Sequence, residues 1–383
     1  MHRPIAFVPP LASMILILGS ALLVAPREGR AADPKPLAIG SSAPDFRLPG
    51  TDGKTYTLAD FADSKALMVV FTCNHCPTAN AYEARLAKFH AEYGPKGVKF
   101  VAISPNDPLA VRPDELGYTD LDDSFEAMKI RARDHHFAYP YLYDGETQAT
   151  SRLFGVLATP HVFVFDADRK LRYQGRFDDA EVKAVKSHDA INAVEAILAD
   201  KPVAVATTRV VGCSTKWSDK RESARDWLAK ADTEPVTLTP ITDLAAVTKL
   251  IKNDDQTQIK GPMLVNLWAT WCGPCVAELP ELVEINRMYR RRGFRVATIS
   301  LDEPSKKDEA LAMLEKHHVA LMNFHLTTDN RDQFAEALDK EWPGPVPYTM
   351  LIAPGGKVLY RKSGAIDPLE VKRAIVDFLG RTY

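Results

Sequence analysis

The chain has 383 residues, of which 46% are hydrophobic and 26% are charged, as is usual for a soluble globular protein. Its formal net charge of −2 argues against a nucleic-acid partner, and its five cysteines are too few for a small scaffold held together by disulfides. This length is sufficient for two or three domains, each with its own hydrophobic core.

The first 32 residues have the pattern of an export signal. A short polar start precedes a strongly apolar run at residues 11–25, and small residues around Ala31 are suited to cleavage. An uncleaved membrane anchor is the alternative, because no charge occurs between Pro4 and Pro26. The short apolar centre favours cleavage. Both interpretations place the rest of the chain outside the cytoplasm, in a periplasm or a similar compartment.

Two stretches of the chain share one order of features around a Cys-x-x-Cys pair. In each stretch a short apolar run, residues 66–71 or 263–268, precedes the pair, and apolar residues at helical spacing follow it. A second buried strand comes next, at 98–104 and at 294–300. The order strand, helix, strand predicts parallel strands joined by right-handed crossovers.

After a later proline, each stretch predicts a β-hairpin and a final helix. The hairpins are expected at 161–175 and 348–362, and the helices at 180–199 and 367–379. The first stretch carries extra material as well. An added hairpin is expected within residues 37–60, and a loop insertion near 106–125.

The two pairs, Cys73 with Cys76 and Cys272 with Cys275, are predicted to be redox-active dithiols. Cysteines three residues apart in the first turn of a helix lie on one face, close enough for a disulfide. Free backbone N–H groups and the helix dipole would stabilise the thiolate of the first member. We therefore expect Cys73 and Cys272 to attack disulfides. Cys76 and Cys275 would then resolve the mixed disulfides.

Other uses of four cysteines fit less well. A zinc site made by both pairs would need them to meet face to face, although 195 residues separate Cys76 from Cys272. Haem attachment is excluded, because Pro77 and Val276 stand where a histidine is required. We therefore expect no cofactor. The expected partners are protein thiols and disulfides, with an unidentified electron donor or acceptor.

The second stretch resembles the thioredoxin family over about residues 240–380. The motif Trp271-Cys272-Gly273-Pro274-Cys275 and the later Val346-Pro347 carry this likeness. Within the family, the stretch is most similar to exported, often membrane-tethered thiol–disulfide reductases such as those that serve cytochrome c maturation. The resemblance implies that Pro347, preceded by Val346, forms a cis-proline loop beside the cysteines and binds extended substrates.

The same resemblance implies a role for Glu278. Asn266 stands where cytoplasmic thioredoxins carry a buried aspartate, so Glu278 could accept the proton of Cys275 instead. Burial would raise the pKa of this carboxyl group and suit it to that task. The alternative is a solvated acid in the first turn of a helix, where the helix dipole favours negative charge.

The first stretch resembles the redoxin branch, which holds peroxiredoxin-like and reductase proteins with an added N-terminal hairpin, over about residues 37–200. Residues 43–48 and 53–58 carry this likeness. It implies the cis-proline role for Pro160, preceded by Thr159. The threonine and proline that precede a peroxiredoxin's catalytic cysteine are missing, which weighs against a peroxidase. A thiol peroxidase-like antioxidant stays an alternative for this stretch.

Together the resemblances imply an α/β fold with two tandem thioredoxin-like domains, each a central mixed β-sheet flanked by helices. They imply a thiol–disulfide oxidoreductase that acts outside the cytoplasm. The expected divisions are a signal peptide or anchor at 1–32, a redoxin-type domain at 36–204, a charged linker at 205–239 and a thioredoxin domain at 240–383.

His75 lies between the cysteines of the first pair. A histidine there resembles that of strongly oxidising periplasmic disulfide donors. Its imidazolium would stabilise the thiolate of Cys73 and so favour the reduced form. We therefore expect the Cys73–Cys76 couple to have a higher reduction potential than the Cys272–Cys275 couple.

Two residues beyond the pairs could take part in the chemistry of the first stretch. His161, after Pro160, could complete a Cu(I) site with Cys73 and Cys76, as in a metallochaperone, or be an ordinary loop residue. Cys213 is either a third redox thiol that reaches Cys73 or an unpaired structural residue. The sequence leaves both questions open.

Overall fold

The computed structural model describes residues 34–253, 261–328 and 330–383. The signal peptide or anchor expected at 1–32 lies outside these residues. Among the helices within them, none is both long and apolar enough to cross a membrane. The domain divisions expected within 36–383 stay predictions.

The first half of the described chain forms a mixed sheet flanked by helices. Its elements are β1 (Arg47–Pro49), β2 (Thr55–Thr57), β3 (Ala66–Phe71), α1 (Pro77–Tyr93), β4 (Val98–Ser104), α2 (Phe125–Asp134), β5 (Tyr141–Tyr143), α3 (Ala149–Phe154), β6 (Ala158–Thr159), β7 (His161–Asp166), β8 (Leu171–Gly175) and α4 (Asp189–Leu198). The main sheet has the order β5-β4-β3-β7-β8. In it β3, β4 and β5 are parallel, and β7 runs antiparallel to β3 and β8.

The central strand β3 is buried along its whole length. Successive side chains of a strand point to opposite faces, so Met68 and Val70 join one core cluster, while Val69 and Phe71 join the other. Helices α1 and α4 cover the first face, and Phe154 of α3 packs on the second. The end of β3 is thereby held firmly where the first cysteine pair begins.

The second half repeats this arrangement after a connecting segment. Its elements are β9 (Cys213–Ser214), α5 (Arg221–Ala231), β10 (Thr239–Ile241), α6 (Leu244–Lys252), β11 (Met263–Trp268), α7 (Gly273–Tyr289), β12 (Arg295–Ser300), α8 (Lys307–Lys316), β13 (Met322–Leu326), α9 (Arg331–Leu338), β14 (Tyr348–Ile352), β15 (Val358–Ser363) and α10 (Pro368–Leu379). The sheet has the order β10-β13-β12-β11-β14-β15, with only β14 and β15 antiparallel to their neighbours.

The predicted α/β fold with two mixed sheets is confirmed, and β1 pairs with β2 as the added hairpin. The helix expected at 180–199 begins only at Asp189. The residues before it form a loop, because Arg85 binds the carboxylate of Asp178 and the carbonyl oxygens of Ala180 and Glu181. Backbone groups satisfied in this way do not need a helix.

The insertion near 106–125 forms much of the contact with the second half, within one compact unit. The hydroxyl group of Tyr289 donates a hydrogen bond to the carbonyl oxygen of Thr119 at 2.6 Å. Asp120 accepts from Arg373 at 3.3 Å and also binds Arg381. This carboxylate is 4% exposed, so it is a buried anion that needs its cations.

Replacing Asp120 by alanine should therefore destabilise the whole protein. We expect Asp120→Ala to lower the free energy of unfolding by about 3 kcal/mol, because the arginines that face it lose their anion. Urea denaturation of the full chain measures this change. Glu126→Ala, which removes an exposed ion pair with Lys129, is the matched control and should cost less than about 1 kcal/mol. An equal loss of unfolding free energy in the two variants would contradict the prediction that the buried ion pairs of Asp120 stabilise the protein.

Candidate active sites

The second cysteine pair lies at the start of α7. Cys272 is the N-cap residue of this helix, and a disulfide joins it to Cys275. The backbone N–H of Cys275 donates to the sulfur of Cys272 at an N–S distance of 3.3 Å. A helix start has free N–H groups, and here one of them points at the first sulfur. The expected position of this pair is confirmed.

The loop before Pro347 lies against the second pair. The peptide bond between Val346 and Pro347 is cis, as the resemblance implies. The sulfur of Cys272 lies 3.7 Å from the carbonyl oxygen of Val346. Beside it, Trp271 is 71% exposed, whereas Cys275 is fully buried. Cys272 is thus the sulfur closer to solvent in this pair.

Glu278 lies under the same pair, one helical turn after Cys275. It is only 5% exposed, so the alternative of a solvated acid is wrong. Its carboxylate accepts hydrogen bonds from the side chain of Asn266 at 2.7 Å and from the backbone N–H of Ile366 at 3.1 Å. Burial raises the pKa of Glu278, and these two hydrogen bonds only partly oppose the rise.

The first pair is placed differently. Helix α1 starts at Pro77, so its N-cap residue is Cys76 rather than Cys73. The expectation that Cys73 lies in the first turn of a helix is wrong. Proline at the first helical position has no N–H to lose and a φ suited to the helix, which sets the start there. The second sulfur of this pair therefore lies at the helix terminus.

The carboxylate of Asp123 holds the loop between Cys73 and Cys76 outside the helix. It accepts the backbone N–H groups of Asn74 at 2.9 Å and of His75 at 3.1 Å. It also binds the Nδ1 atom of His75 at 2.5 Å and the side-chain amide of Asn106 at 2.8 Å. All three polar side chains, His75, Asn106 and Asp123, are buried. Asp123 thus stabilises both the loop and a charged imidazole.

These contacts set the charge state of the first site. Burial alone would lower the pKa of His75, but Asp123 raises it above the usual value. Burial would raise the pKa of Cys76. Hydrogen bonds from the thiols of Cys213 and Cys73, together with the charge of His75, bring it well below the usual value. Burial and the neighbouring Cys76 raise the pKa of Cys73. These shifts favour Cys76 over Cys73 as the sulfur of this site that ionises first.

The loop before Pro160 also contacts both sulfurs. The peptide bond between Thr159 and Pro160 is cis. The hydroxyl group of Thr159 lies 3.1 Å from the sulfur of Cys73, and its carbonyl oxygen accepts from the thiol of Cys76 at 3.1 Å when that thiol is protonated. The backbone of Thr159 is paired with Cys213 through the short strands β6 and β9.

His161 does not join the cysteines. It is fully buried among Leu157 and Gln174, and burial lowers its pKa to about 4. Among the described residues, the atoms close enough together to bind a metal here belong to Cys73, His75 and Asp123. The alternative of a Cu(I) site at Cys73, Cys76 and His161 is therefore not assembled in the structure. The strand position of His161 directs its ring away from the sulfurs.

Sequence reasoning missed several residues of the first site, above all Asp123 and Asn106. Both lie in the insertion near 106–125, where the sequence predicts a loop. A buried histidine next to a thiol pair needs a partner for its ring, and an acidic run elsewhere in the chain offers one. Of the two alternatives for Cys213, a third redox thiol that reaches Cys73 or an unpaired structural residue, the structure matches neither in full, because its backbone N–H lies 3.4 Å from the sulfur of Cys76.

Comparison with known proteins extends this description. Residues 38–191 match the family profile described as Redoxin, and residues 238–361 match the profile described as AhpC/TSA family. The thiol-disulfide oxidoreductase ResA of Geobacillus thermodenitrificans is 30% identical over 111 residues, which are 29% of this chain and 59% of that protein. The thiol:disulfide interchange protein DsbE homolog of Paracoccus denitrificans is 32% identical over 119 residues, 31% of this chain and 59% of that protein.

This chain thus spans about three fifths of the length of these relatives. A crystal structure of a hypothetical protein from Sinorhizobium meliloti 1021 has a TM-score of 0.43 and 34% identity, covering 48% of this chain and 97% of that one. Mixed sheets that carry a cysteine pair beside a cis-proline define the class of thioredoxin-like proteins. The chain belongs to this superfamily as a tandem of a redoxin and an AhpC/TSA-type domain.

Replacing Asp123 by asparagine should shift the titration of the first site. Asparagine keeps an oxygen for the backbone N–H groups, but it no longer favours the charged form of His75. The pKa of His75 should therefore fall and that of Cys76 rise, with about tenfold less thiolate for each unit of rise. Thiolate absorbance against pH, in a chain with serine at 272 and 275, measures the change. Asp168→Asn, in an exposed turn, is the control, and an unchanged Cys76 titration in Asp123→Asn would contradict the prediction.

Proposed function

We propose that the protein is an extracytoplasmic thiol–disulfide oxidoreductase with two separate dithiol sites. The observation that carries this proposal is the Cys272–Cys275 disulfide at the N-terminus of α7, beside the carbonyl group that precedes Pro347. Among the described residues no strand of the chain pairs with Val346. The loop therefore has free backbone groups for an extended protein substrate.

The second site exchanges disulfides in two steps. In the reduced protein, the thiolate of Cys272 attacks a substrate disulfide, forms a mixed disulfide and releases one substrate thiolate. Cys275 then attacks the sulfur of Cys272, which releases the second substrate thiolate and restores the Cys272–Cys275 disulfide. Cys275 is buried and must lose a proton before it attacks. Glu278, on the same face of α7, accepts that proton.

The two sites work independently in this arrangement. Cys272 lies at the N-terminal end of α7, whereas residues near the C-terminal end, such as Met288 and Arg292, lie beside Cys213. A helix of 17 residues is about 25 Å long, so the two dithiols are too far apart to exchange directly. Each site therefore needs its own donor or acceptor of electrons.

The location outside the cytoplasm rests on the export pattern of residues 1–32 and on the persistence of thiol–disulfide couples in oxidising compartments. The relatives' names support thiol–disulfide exchange, and the free loop before Pro347 supports protein thiols or disulfides as the partners of the second site. No observation favours a peroxidase or a copper chaperone, so neither is proposed.

Insulin reduction with dithiothreitol as the electron source tests this function. We expect the wild-type chain to be active and Cys272→Ser to be inactive, because the attacking sulfur is missing. Cys275→Ser should instead accumulate a mixed disulfide with insulin, since nothing resolves it. Cys73→Ser is the matched control and should retain most of the activity. Loss of activity in Cys73→Ser together with full activity in Cys272→Ser would contradict the assignment.

Glu278→Gln tests the proton acceptor. The glutamine is isosteric but cannot take a proton, so resolution of the mixed disulfide should slow by about a hundredfold. In the wild type, resolution should slow as the pH falls through the raised pKa of Glu278, because the protonated acid no longer accepts. The variant should lack this dependence. Stopped-flow measurement of resolution against pH tests both points, with Glu281→Gln on the same helix as the control. A pH profile in Glu278→Gln identical to that of the wild type would be the contrary result.

A further inference from the structure

The first site already has a strand on its cis-proline loop. Residues Cys213 and Ser214 pair antiparallel with Thr159 and Ala158, next to Pro160. In the second site the equivalent loop has no such strand among the described residues. A segment of the chain itself thus occupies the position where an extended substrate would pair, and it brings a cysteine with it.

Gly212 allows the strand at Cys213 to lie close to the cis-proline loop. Its φ of +149° is a conformation that side chains rarely adopt, and an added Cβ atom would lie 2.0 Å from the carbonyl oxygen of Thr159. Glycine is therefore required for the strand to approach the loop. The contact is built into the chain rather than being a loose association of a linker with a surface.

The docked cysteine contacts the second cysteine of the first pair. The backbone N–H of Cys213 donates to the sulfur of Cys76 at an N–S distance of 3.4 Å, and the Cys213 thiol is a hydrogen-bond partner of the same sulfur. Cys213 packs against the small apolar cluster that contains Cys73 and Cys76.

Cys213 is also the sulfur of this site that solvent reaches. Cys73 is 2% exposed and Cys76 is fully buried, whereas Cys213 is partly exposed. It lines a cavity of about 430 Å³ between the two halves of the unit, together with His75, Lys216, Met288 and Tyr383. The buried Nε2 atom of His75 has no hydrogen-bond partner in the described chain, and this residue lines the same cavity. A donor without a partner is suited to a bound ligand.

We propose that Cys213 is the outer thiol of the first site, that it forms a disulfide with Cys76, and that this disulfide exchanges with small-molecule thiols in the cavity. The inference rests on the proposed thiol–disulfide exchange and names its substrate class for the first domain. A cavity of this volume suits a small ligand. An extended protein segment is excluded, because the strand at Cys213 occupies the loop.

The exchange takes place in two steps. A small thiolate attacks the sulfur of Cys213, the Cys76–Cys213 bond breaks, and its electron pair stays on Cys76 as a thiolate. A thiolate of low pKa is the better leaving group, so attack at Cys213 is favoured. A second small thiolate then attacks the sulfur of the first, and Cys213 leaves and takes up a proton. Two small thiols become one disulfide. The reverse steps load the Cys76–Cys213 disulfide from a small disulfide.

Cys73 belongs to the same small buried cluster as Cys76 and can take over the disulfide. Its attack on the sulfur of Cys76 would form Cys73–Cys76 and return Cys213 to the thiol form. Cys76 is therefore shared by an inner partner and an outer partner. The inner pair stores the disulfide, and the outer pair exchanges it with the cavity.

The test uses the reduced chain with Cys272→Ser and Cys275→Ser, so that only the first site reacts. Oxidised glutathione is added, the reaction is quenched with acid and alkylating agent, and disulfide-linked peptides are mapped by mass spectrometry. We expect the Cys76–Cys213 peptide to form before Cys73–Cys76, and to be the final product in Cys73→Ser. Cys213→Ser should react about tenfold more slowly, because the outer sulfur is missing. In Cys76→Ser, glutathione should be found on Cys213.

Gly212→Ala tests the docking without removing a thiol. It should slow the oxidation by glutathione as much as Cys213→Ser does, because the strand can no longer approach Thr159. Gly94→Ala is the matched control, since an added Cβ atom there meets nothing within 4 Å, and it should react like the parent. Circular dichroism and thermal unfolding establish that each variant is folded.

Two results would overturn the inference. One is Cys213→Ser oxidised as fast as the parent, and the other is glutathione attached to Cys73 rather than Cys213 in Cys76→Ser. The insulin assay reports on Cys272 and does not involve Cys213. A failure of the proposed function would therefore appear in the insulin assay, whereas a failure of the cavity exchange would appear in the glutathione experiment.

Discussion

The chemistry of each domain depends on the residue at which its helix begins. Both cysteine pairs follow a buried central strand, yet α7 starts just after Cys272 and α1 starts just after Cys76. The free N–H groups of a helix terminus stabilise only the sulfur beside them. A shift of three residues in the helix start thus transfers the thiolate from the first cysteine of a pair to the second. Pro77 and Asp123 make the shift together in the first domain: the proline favours a helix start at its own position, and the carboxylate satisfies the N–H groups of Asn74 and His75 outside the helix.

This difference leads to two kinds of site on one fold. In the second domain, Cys272 is 6% exposed beside the exposed Trp271, and no strand of the described chain pairs with Val346 of the cis-proline loop. In the first domain, the thiolate is buried between two other cysteines, and the chain's own strand covers the loop. The repeated fold therefore supports one site suited to protein chains and another suited to small molecules. The rigid contacts through Asp120 and Tyr289 keep the two apart.

Much of the fold could be predicted from the sequence, because its signals are local. The strands at 66–71 and 263–268 follow from short apolar runs, and the helix after Cys272 follows from apolar residues at helical spacing. The helix start in the first domain could not be read in the same way. Pro77 is a local signal, but the loop that keeps Cys73 outside the helix depends on Asp123, which is 47 residues beyond Cys76 and is brought back by the insertion. The same holds for Cys213, whose contact with Cys76 requires a strand pair far apart in the sequence.

The docked strand at Cys213 pairs with the first domain, although it lies beyond the boundary expected at residue 204. The segment from Gly212 to Trp217 lies within the range that composition marks as a connector, yet Cys213, Lys216 and Trp217 all contribute to the first domain or its cavity. A version of the protein cut at residue 204 would keep the Cys-x-x-Cys motif of the first domain. It would lose Cys213, the partly exposed cysteine of that site. Its buried pair would then be exposed on an uncovered loop. Such a fragment would report the reactivity of a different site from the one in the intact chain.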